Sequence, residues 1–328
     1  MQFRFATISS IVSSADIQPL ATSRMSFKKP RPISSFLLIA LALLFSPIDN
    51  SHAGQNPTSP ANPHQNSTSD DVINFGVLPY LSPAALIKTW RPFADYLEQV
   101  LHKKVVIKTA PDFKKFLERT AEGRYQLLMT APHFAALAVK NNGYQLIAGH
   151  SNDLAGDIVV AKNSEFQSIN DLRGKIFAAP HPLAAVSMLA ELTLKQHGLT
   201  PGITISIKTT ASHNAALIDV ARGRAAAAVA VGGLYRRLND SNKYPQLRRL
   251  ATTDKIPHAM YIVNSSFPKD DVTKLRNALT TPAPSALGKA AFAELNKSFF
   301  GGPINTVTPQ IFNRLIPIVS ILETKIAQ

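Results

Sequence analysis

The chain contains no cysteine in its 328 residues. That excludes disulfides, thiol catalysis and a lipid anchor on cysteine, so stability rests on an apolar core that a chain of this length can build. It is also short of acid, with 21 Asp and Glu against 35 Lys and Arg and a formal net charge of +14. Such an excess attracts anions. The basic doublets Lys103-Lys104, Lys114-Lys115, Arg236-Arg237 and Arg248-Arg249 are scattered, with no basic run interleaved with stacking aromatics, so a nucleic-acid surface is not expected. Enzyme signatures are missing too. There is no GxSxG elbow, no HExxH, no P-loop and no GxGxxG after a strand, and the predicted strand ends Leu78, Thr130, Ala179 and Val231 carry no carboxylate. Neither an enzyme nor a cofactor is expected.

Lys28, Lys29 and Arg31 precede an apolar run over 33–45 that is too short to span a bilayer as a helix. Ser51-His52-Ala53 then places small residues at both selective positions of a cleavage site. Residues 1–53 read as a cleavable signal peptide with an upstream extension, Met25 being a credible start. The expected product is soluble and periplasmic. Five of the 35 basic and two of the 21 acidic residues lie in 1–53, so the remainder carries a net +11. Residues 54–71 are rich in Pro, Asn, Ser and Thr, lack large apolar side chains, and are expected to be a disordered lead-in.

The most informative stretch is 175–198, KIFAAPHPLAAVSMLAELTLKQHG. Ile176–Ala179 reads as a strand and Pro180-His181-Pro182 as a turn. A helix follows with Leu183, Val186, Ala190 and Leu194 on one face. Glu191 and Lys195 are spaced for an ion pair, and Gly198 falls where a left-handed helix end is usual. A helix N-terminus is thus left open at the carboxyl end of a strand. Open α/β sheets bind ligands at such places, small anions above all, although a guestless surface turn has the same pattern.

The strand–turn–helix pattern recurs along the chain. A strand over 72–78 precedes a helix carrying Leu86, Trp90, Phe93, Leu97 and Leu101, with Pro92 either delaying or kinking it. A strand over 105–108 leads to a helix capped by Asp112, with Phe113, Phe116, Leu117 and Thr120 inward and Gly123 at its end. Leu127–Thr130 is a third strand, Ala131-Pro132-His133 opens another helix, and 145–148 is a fourth strand. A second series starts at 158–161. It continues through a strand over 203–208, a helix over 212–223 and a strand over 226–231. Leu247–Thr252 and 259–263 read as a return to the first sheet, with helices near 269–279 and 285–296. A last helix carries Phe312, Leu315, Val319, Leu322 and Ile326, with Pro317 expected to kink it. The expected fold is α/β and two-lobed, with mostly parallel sheets, helices on both faces and hinge crossovers near 151–157 and 252–257. Lobe 1 takes 72–155 and 253–328, lobe 2 takes 156–252, and the cleft between them is expected to close on a ligand.

Chemistry-bearing residues gather in the predicted turns. His133, His181, His213 and His258 lie in or beside turns on the cleft side, and Tyr80, Ser82 and Thr130 in equivalent ones. These residues fit a hydrogen-bond shell for an oxyanion, a transition-metal site or ordinary loop histidines. No carboxylate accompanies them and their spacing is not local, so a metal is not expected.

Five motifs carry a resemblance. Phe75-Gly76-Val77-Leu78-Pro79 leads to Trp90-Arg91-Pro92-Phe93-Ala94-Asp95-Tyr96-Leu97, followed by LMTAPHFAALA over 128–138. Asp171-Leu172-Arg173-Gly174-Lys175 and Ser212-His213-Asn214-Ala215-Ala216 come next, in the same order. From about 72 to 318 the chain resembles the phosphonate/phosphite/phosphate-binding proteins of ABC transporters. The resemblance implies a type II periplasmic binding protein that holds a tetrahedral oxyanion between its lobes. It also implies a monomer whose partner is an ABC permease in the inner membrane. Similar domains serve as sensor inputs, so a membrane sensor kinase is the alternative partner. In that family the helix start resembles Asp-Pro-x-Ser-Thr-Ser-Gly, with hydroxyls on the oxyanion. Here Ala184, Ala185 and Val186 replace the hydroxyls and Ser187 the glycine, which leaves the Ala184 and Ala185 amides as donors. His213 fits the family's Ser-His-Asp-Ala motif with Asn214 replacing the acid, and carboxylates for an amino group have no counterpart. The expected ligand site is Tyr80, Ser82, Thr130, His133, Ala184, Ala185, His213 and His258.

Overall fold

The computed structural model describes residues 71–240, 246–297 and 302–327. The expected signal peptide and all of the expected lead-in except Asp71 lie outside the described residues. The chain begins with β1 (Val72–Val77), α1 (Pro83–Leu101), β2 (Lys104–Lys108), α2 (Phe113–Ala121), β3 (Leu127–Thr130), α3 (Pro132–Asn141) and β4 (Gln145–His150). A short strand, β5 (Asp153–Leu154), leads to β6 (Gly156–Ala161), β7 (Ile176–Ala179), α4 (Ala185–Gln196) and β8 (Ser206–Thr209). Then come α5 (His213–Ala221), β9 (Ala227–Val231), α6 (Leu234–Asp240) and β10 (Leu247–Thr252). The return runs through β11 (Ile256–Pro257) to β12 (Met260–Val263), α7 (Lys269–Thr280), α8 (Ala286–Lys297), β13 (Ile304–Asn305) and α9 (Ile316–Ile326).

One sheet is ordered β13-β4-β12-β3-β1-β2 and the other β10-β6-β9-β7-β8. Without β13 the two orders are the same. In each, four strands share one direction, as a mostly parallel architecture requires, and one strand runs backwards through the middle. The reversed strands are β6 and β12, whose ladders are all antiparallel. Each is the strand the chain enters on arriving from the other sheet. The crossovers themselves pair as a two-stranded ribbon, Ile256 on Leu154 and Pro257 on Asp153.

The register fixes where a ligand can enter. Thr130, the last residue of β3, pairs with Met260, the first of β12, and Val231 at the end of β9 pairs with Gly156. The carboxyl ends of the parallel strands therefore open onto the crossovers, and the helices after them start there. Gly156 is required by close packing, since a Cβ there would lie 2.7 Å from Val229 Cγ2.

Local chemistry explains most element boundaries. Asp112 accepts from Lys115 N at 2.7 Å and Ser212 from Ala215 N at 3.1 Å, capping α2 and α5. Glu191 pairs with Lys195 at 2.9 Å, and Gly198 is left-handed at φ +69°. Helix α1 runs unbroken through Pro92. Its lost hydrogen bond falls on the carbonyl of exposed Lys88, while fully buried Trp90, Phe93 and Leu97 hold both halves against one core.

Three expectations are corrected. Leu247–Thr252 does not return to the first sheet; it pairs antiparallel with β6 in the second. The strand expected over 203–208 is shifted to Ser206–Thr209, because Pro201 and left-handed Gly202 turn the chain and leave Ile203 82% exposed. Pro317 does not kink the last helix but sits in its first turn, where a missing N–H costs nothing.

Candidate functional site

A cavity of about 80 Å³ lies at the mouths of the parallel strands. Its walls come from the first turns of four helices: Phe113 on α2, Pro132 and His133 on α3, Ala185 and Val186 on α4, and His213 on α5. Leu78 and Tyr80 after β1, Leu154 on the crossover, and His258 and Ala259 before β12 complete it. Sequence and geometry agree on the cause: a helix that follows a parallel strand must start at that strand's carboxyl end.

Six of the eight expected site residues meet at this cavity, namely Tyr80, His133, Ala184, Ala185, His213 and His258. Two do not. Ser82 is exposed, and its hydroxyl accepts from Ala85 N at 3.4 Å as the cap of α1. Thr130 is buried at the end of β3 behind the wall, and its Oγ1 has no hydrogen-bond partner among the described residues. The role expected of Ala184 is also corrected, because its amide donates to the His181 carbonyl at 2.8 Å. Ala185 and Val186 occupy the first two positions of α4, whose amides have no partner inside a helix. Ser187 faces away and donates to the Pro180 carbonyl.

Among the described residues no charged side chain lines the cavity. Its polarity comes from amides and aromatic polar groups. Tyr80 accepts a hydrogen bond from Trp90 Nε1 at 3.1 Å, and burial, partly offset by that bond, pushes its phenol up to about 12. His133 is fully buried and its Nε2 lies 3.0 Å from the Leu183 carbonyl, a bond that joins the two lobes. Burial lowers His133 to about 4, the bond to Leu183 opposing the shift. His213 and His258 are lowered to about 4 by burial as well. The histidines are therefore neutral donors and acceptors near pH 7. On His258, Nδ1 accepts from Ala259 N at 2.8 Å, which puts the proton on Nε2. His181 lies outside the cavity, its Nδ1 accepting from Leu183 N and its ring 5.1 Å from that of Phe113. Among the described residues no group of His, Asp or Glu is arranged to hold a metal ion.

The apolar part of the wall was missed by sequence reasoning. Phe113 fits the inward stripe of α2, yet it is the residue directly after the Asp112 cap, and that position at a strand end belongs to the cleft. Leu154 gave no signal beyond lying in a crossover.

A family model described as the phosphonate periplasmic substrate-binding protein of ABC transporters matches residues 75–303. Solved structures share the fold. A binding protein component of an ABC phosphonate transporter from Pseudomonas aeruginosa is 18% identical with a TM-score of 0.63, over 79% of this chain and 88% of that one. A Prochlorococcus marinus protein solved with methylphosphonate is 14% identical with a TM-score of 0.67, over 77% and 99%. The periplasmic aliphatic sulphonate binding protein of Escherichia coli is 16% identical with a TM-score of 0.57, over 78% and 93%. No helix among the described residues is long and apolar enough to cross a membrane. The architecture is that of type II periplasmic binding proteins, and the chain belongs to the phosphonate periplasmic substrate-binding protein family of ABC transporters, a family of binding proteins rather than enzymes.

Proposed function

We propose that the protein captures a small phosphorus oxyanion (a phosphonate, phosphite or phosphate) between its lobes and delivers it to an ABC permease in the inner membrane. The observation that carries this reading is the start of four helices at one small cavity with no charged side chain in its wall. Each helix N-terminus contributes roughly half a positive charge and unpaired amides. An anion is stabilised there without a formal cation, while a cation meets only repulsion. The polar contacts are assigned to Tyr80, His133, His213, His258 and the amides of Ala185 and Val186. The lack of a carboxylate in the wall argues against ligands that carry an ammonium group. The matched family is one of transport, which favours a permease over a sensor kinase as partner, and the protein acts as an exported monomer.

Thermal shift and calorimetry of the mature chain with methylphosphonate, phosphite and phosphate test the reading. At about a hundredfold the dissociation constant, a ligand adds roughly 2.7 kcal/mol to stability. No shift with any of the three removes the oxyanion reading.

A further inference from the structure

The two crossovers join the lobes covalently, and the last helix adds a third link that is not covalent. The chain leading to α9 belongs to the first sheet, through β12 and β13. Just before the helix, Arg314 pairs with Asp153 at 3.0 Å and donates to the Lys255 carbonyl at 3.3 Å. Asp153 lies in β5 and Lys255 directly before β11, one on each crossover, so the root of the helix is pinned at the hinge. From there α9 packs on α3 of lobe 1 and on α4 of lobe 2. Buried Leu315, Ile318 and Leu322 share one apolar core with Leu137 of α3 and Leu189 of α4. The last turn divides between the lobes. Glu323 pairs with Lys140 on α3 at 2.7 Å, and Lys325 with Glu191 on α4 at 3.0 Å. Packing is loose there: a groove of about 430 Å³ lies beside Lys325 in lobe 2, and one of about 310 Å³ beside Ile326 in lobe 1. Such space deprives the last turn of the contacts that close packing gives, so it lifts away more readily than the buried root.

We propose that α9 is a strap that biases the lobes, before any ligand arrives, toward the arrangement in which His133 Nε2 meets the Leu183 carbonyl. The helix travels with lobe 1, whose strands lead into it, and releases lobe 2 at Lys325 and Glu191 when the cleft opens. The pair on that side is the better shielded, its side chains 27% and 19% exposed against 61% and 38% for Lys140 and Glu323. Salt and water therefore weaken it less. A ligand that binds only the closed form has an apparent dissociation constant equal to the intrinsic one divided by the fraction already closed. The strap thus sets affinity without touching the ligand, and by the same factor for every ligand the cleft takes.

The chain has no cysteine, so spin labels at Lys108→Cys on β2 and Ser206→Cys on β8 are specific. Both positions are exposed on edge strands of opposite lobes, and the distance between them reports opening in the mature chain without ligand. Lys325→Glu and Glu191→Lys each set like charges against one another. Each should lower the ratio of short to long distances about two- to fivefold, the scale of one partly exposed pair. The double exchange should restore the ratio. Affinities for phosphate and for methylphosphonate should fall in the single variants by one common factor no larger than that, and recover in the exchange. An unchanged distance ratio in both single variants overturns the strap, as does an exchange that fails to recover it. Loss of affinity for one probe alone overturns it too. Should a charge reversal fail to fold, Lys325→Gln removes the pair without adding repulsion, and an unchanged ratio there counts against the strap equally. If neither probe binds, the oxyanion reading falls while the distances still decide on the strap.

Discussion

Under the first sheet, Phe75, Trp90, Phe93 and Phe292 meet with ring centroids 5.5 to 6.0 Å apart, and Tyr261 lies 6.0 Å from Phe93. Against one face of the second sheet, α5 rests Ala216 and Leu217 on Ala178, Ala228 and Ala230, with no fully buried aromatic in that layer among the described residues. The strand order is common to both lobes, so topology did not dictate the filling. Large rings hold elements apart and gain stability through area; small residues let backbones approach and gain it through close packing. The largest expected effect follows. Phe93→Ala removes a ring that touches four other aromatics and leaves a hole between fixed elements, costing about 3–5 kcal/mol. Leu217→Ala, among small neighbours on a nine-residue helix that can settle inward, should fall near the low end for leucine, about 2 kcal/mol. Urea midpoints with unchanged slopes measure both, and equal costs would break the comparison.

The lobes also differ in how deeply they bury a cavity histidine. His133 on α3 is wholly buried, whereas His213 on α5 is half-buried. Burial lowers both to about 4 from an unfolded value near 6.5. Between those values the unfolded chain binds more protons, so stability rises with pH. It is complete above about pH 6.5 and is lost as pH falls towards 4. For His133 the full loss is on the order of 3 kcal/mol. His133→Gln, which keeps a donor for the Leu183 carbonyl, should flatten the curve of unfolding free energy against pH across that window. His213→Gln should flatten it less. An unchanged slope in His133→Gln would mean that buried His150 and His258, also lowered to about 4, carry the acid response instead.

Capping and periodicity were readable because they are local. Asp112, Ser212 and the stretch around Ile176–Ala179 announce their elements within four residues. Strand direction is not local. GDIVVA in β6 and MYIV in β12 are apolar runs like those of β3, and only the route of the chain makes them antiparallel. The side of Leu247–Thr252 was missed for the same reason. At the site, residue types in the expected turns, together with the family resemblance at the start of α4, pointed to eight residues, of which six line one cavity. The duties of individual atoms were beyond such reasoning. That the Ala184 amide turns to His181, or that Ser82 is spent on Ala85, depends on turn geometry that composition does not encode.

The smallest expected effect concerns α2 and α5, the matching second helices of the two lobes, which both start at the cavity. In lobe 1 the cap is Asp112, whose charge reaches His181 and opposes the lowering that burial imposes on that ring. In lobe 2 the cap is the uncharged Ser212. A carboxylate at a helix start stabilises the helix but cancels part of the field offered to an anion. Asp112→Asn keeps an equivalent cap, so stability should change little. Phosphite or methylphosphonate affinity should rise about two- to fivefold at low salt, an effect on the scale of one helix-end charge. Ser212→Asp makes the reverse change in lobe 2 and should weaken the same ligands by a similar factor. Both shifts should shrink as salt is raised, because the two caps are solvent-exposed. Titrations of the pair at two ionic strengths separate field from contact. If neither substitution moves affinity, the helix starts contribute only their amides, and the anion is held by hydrogen bonds alone.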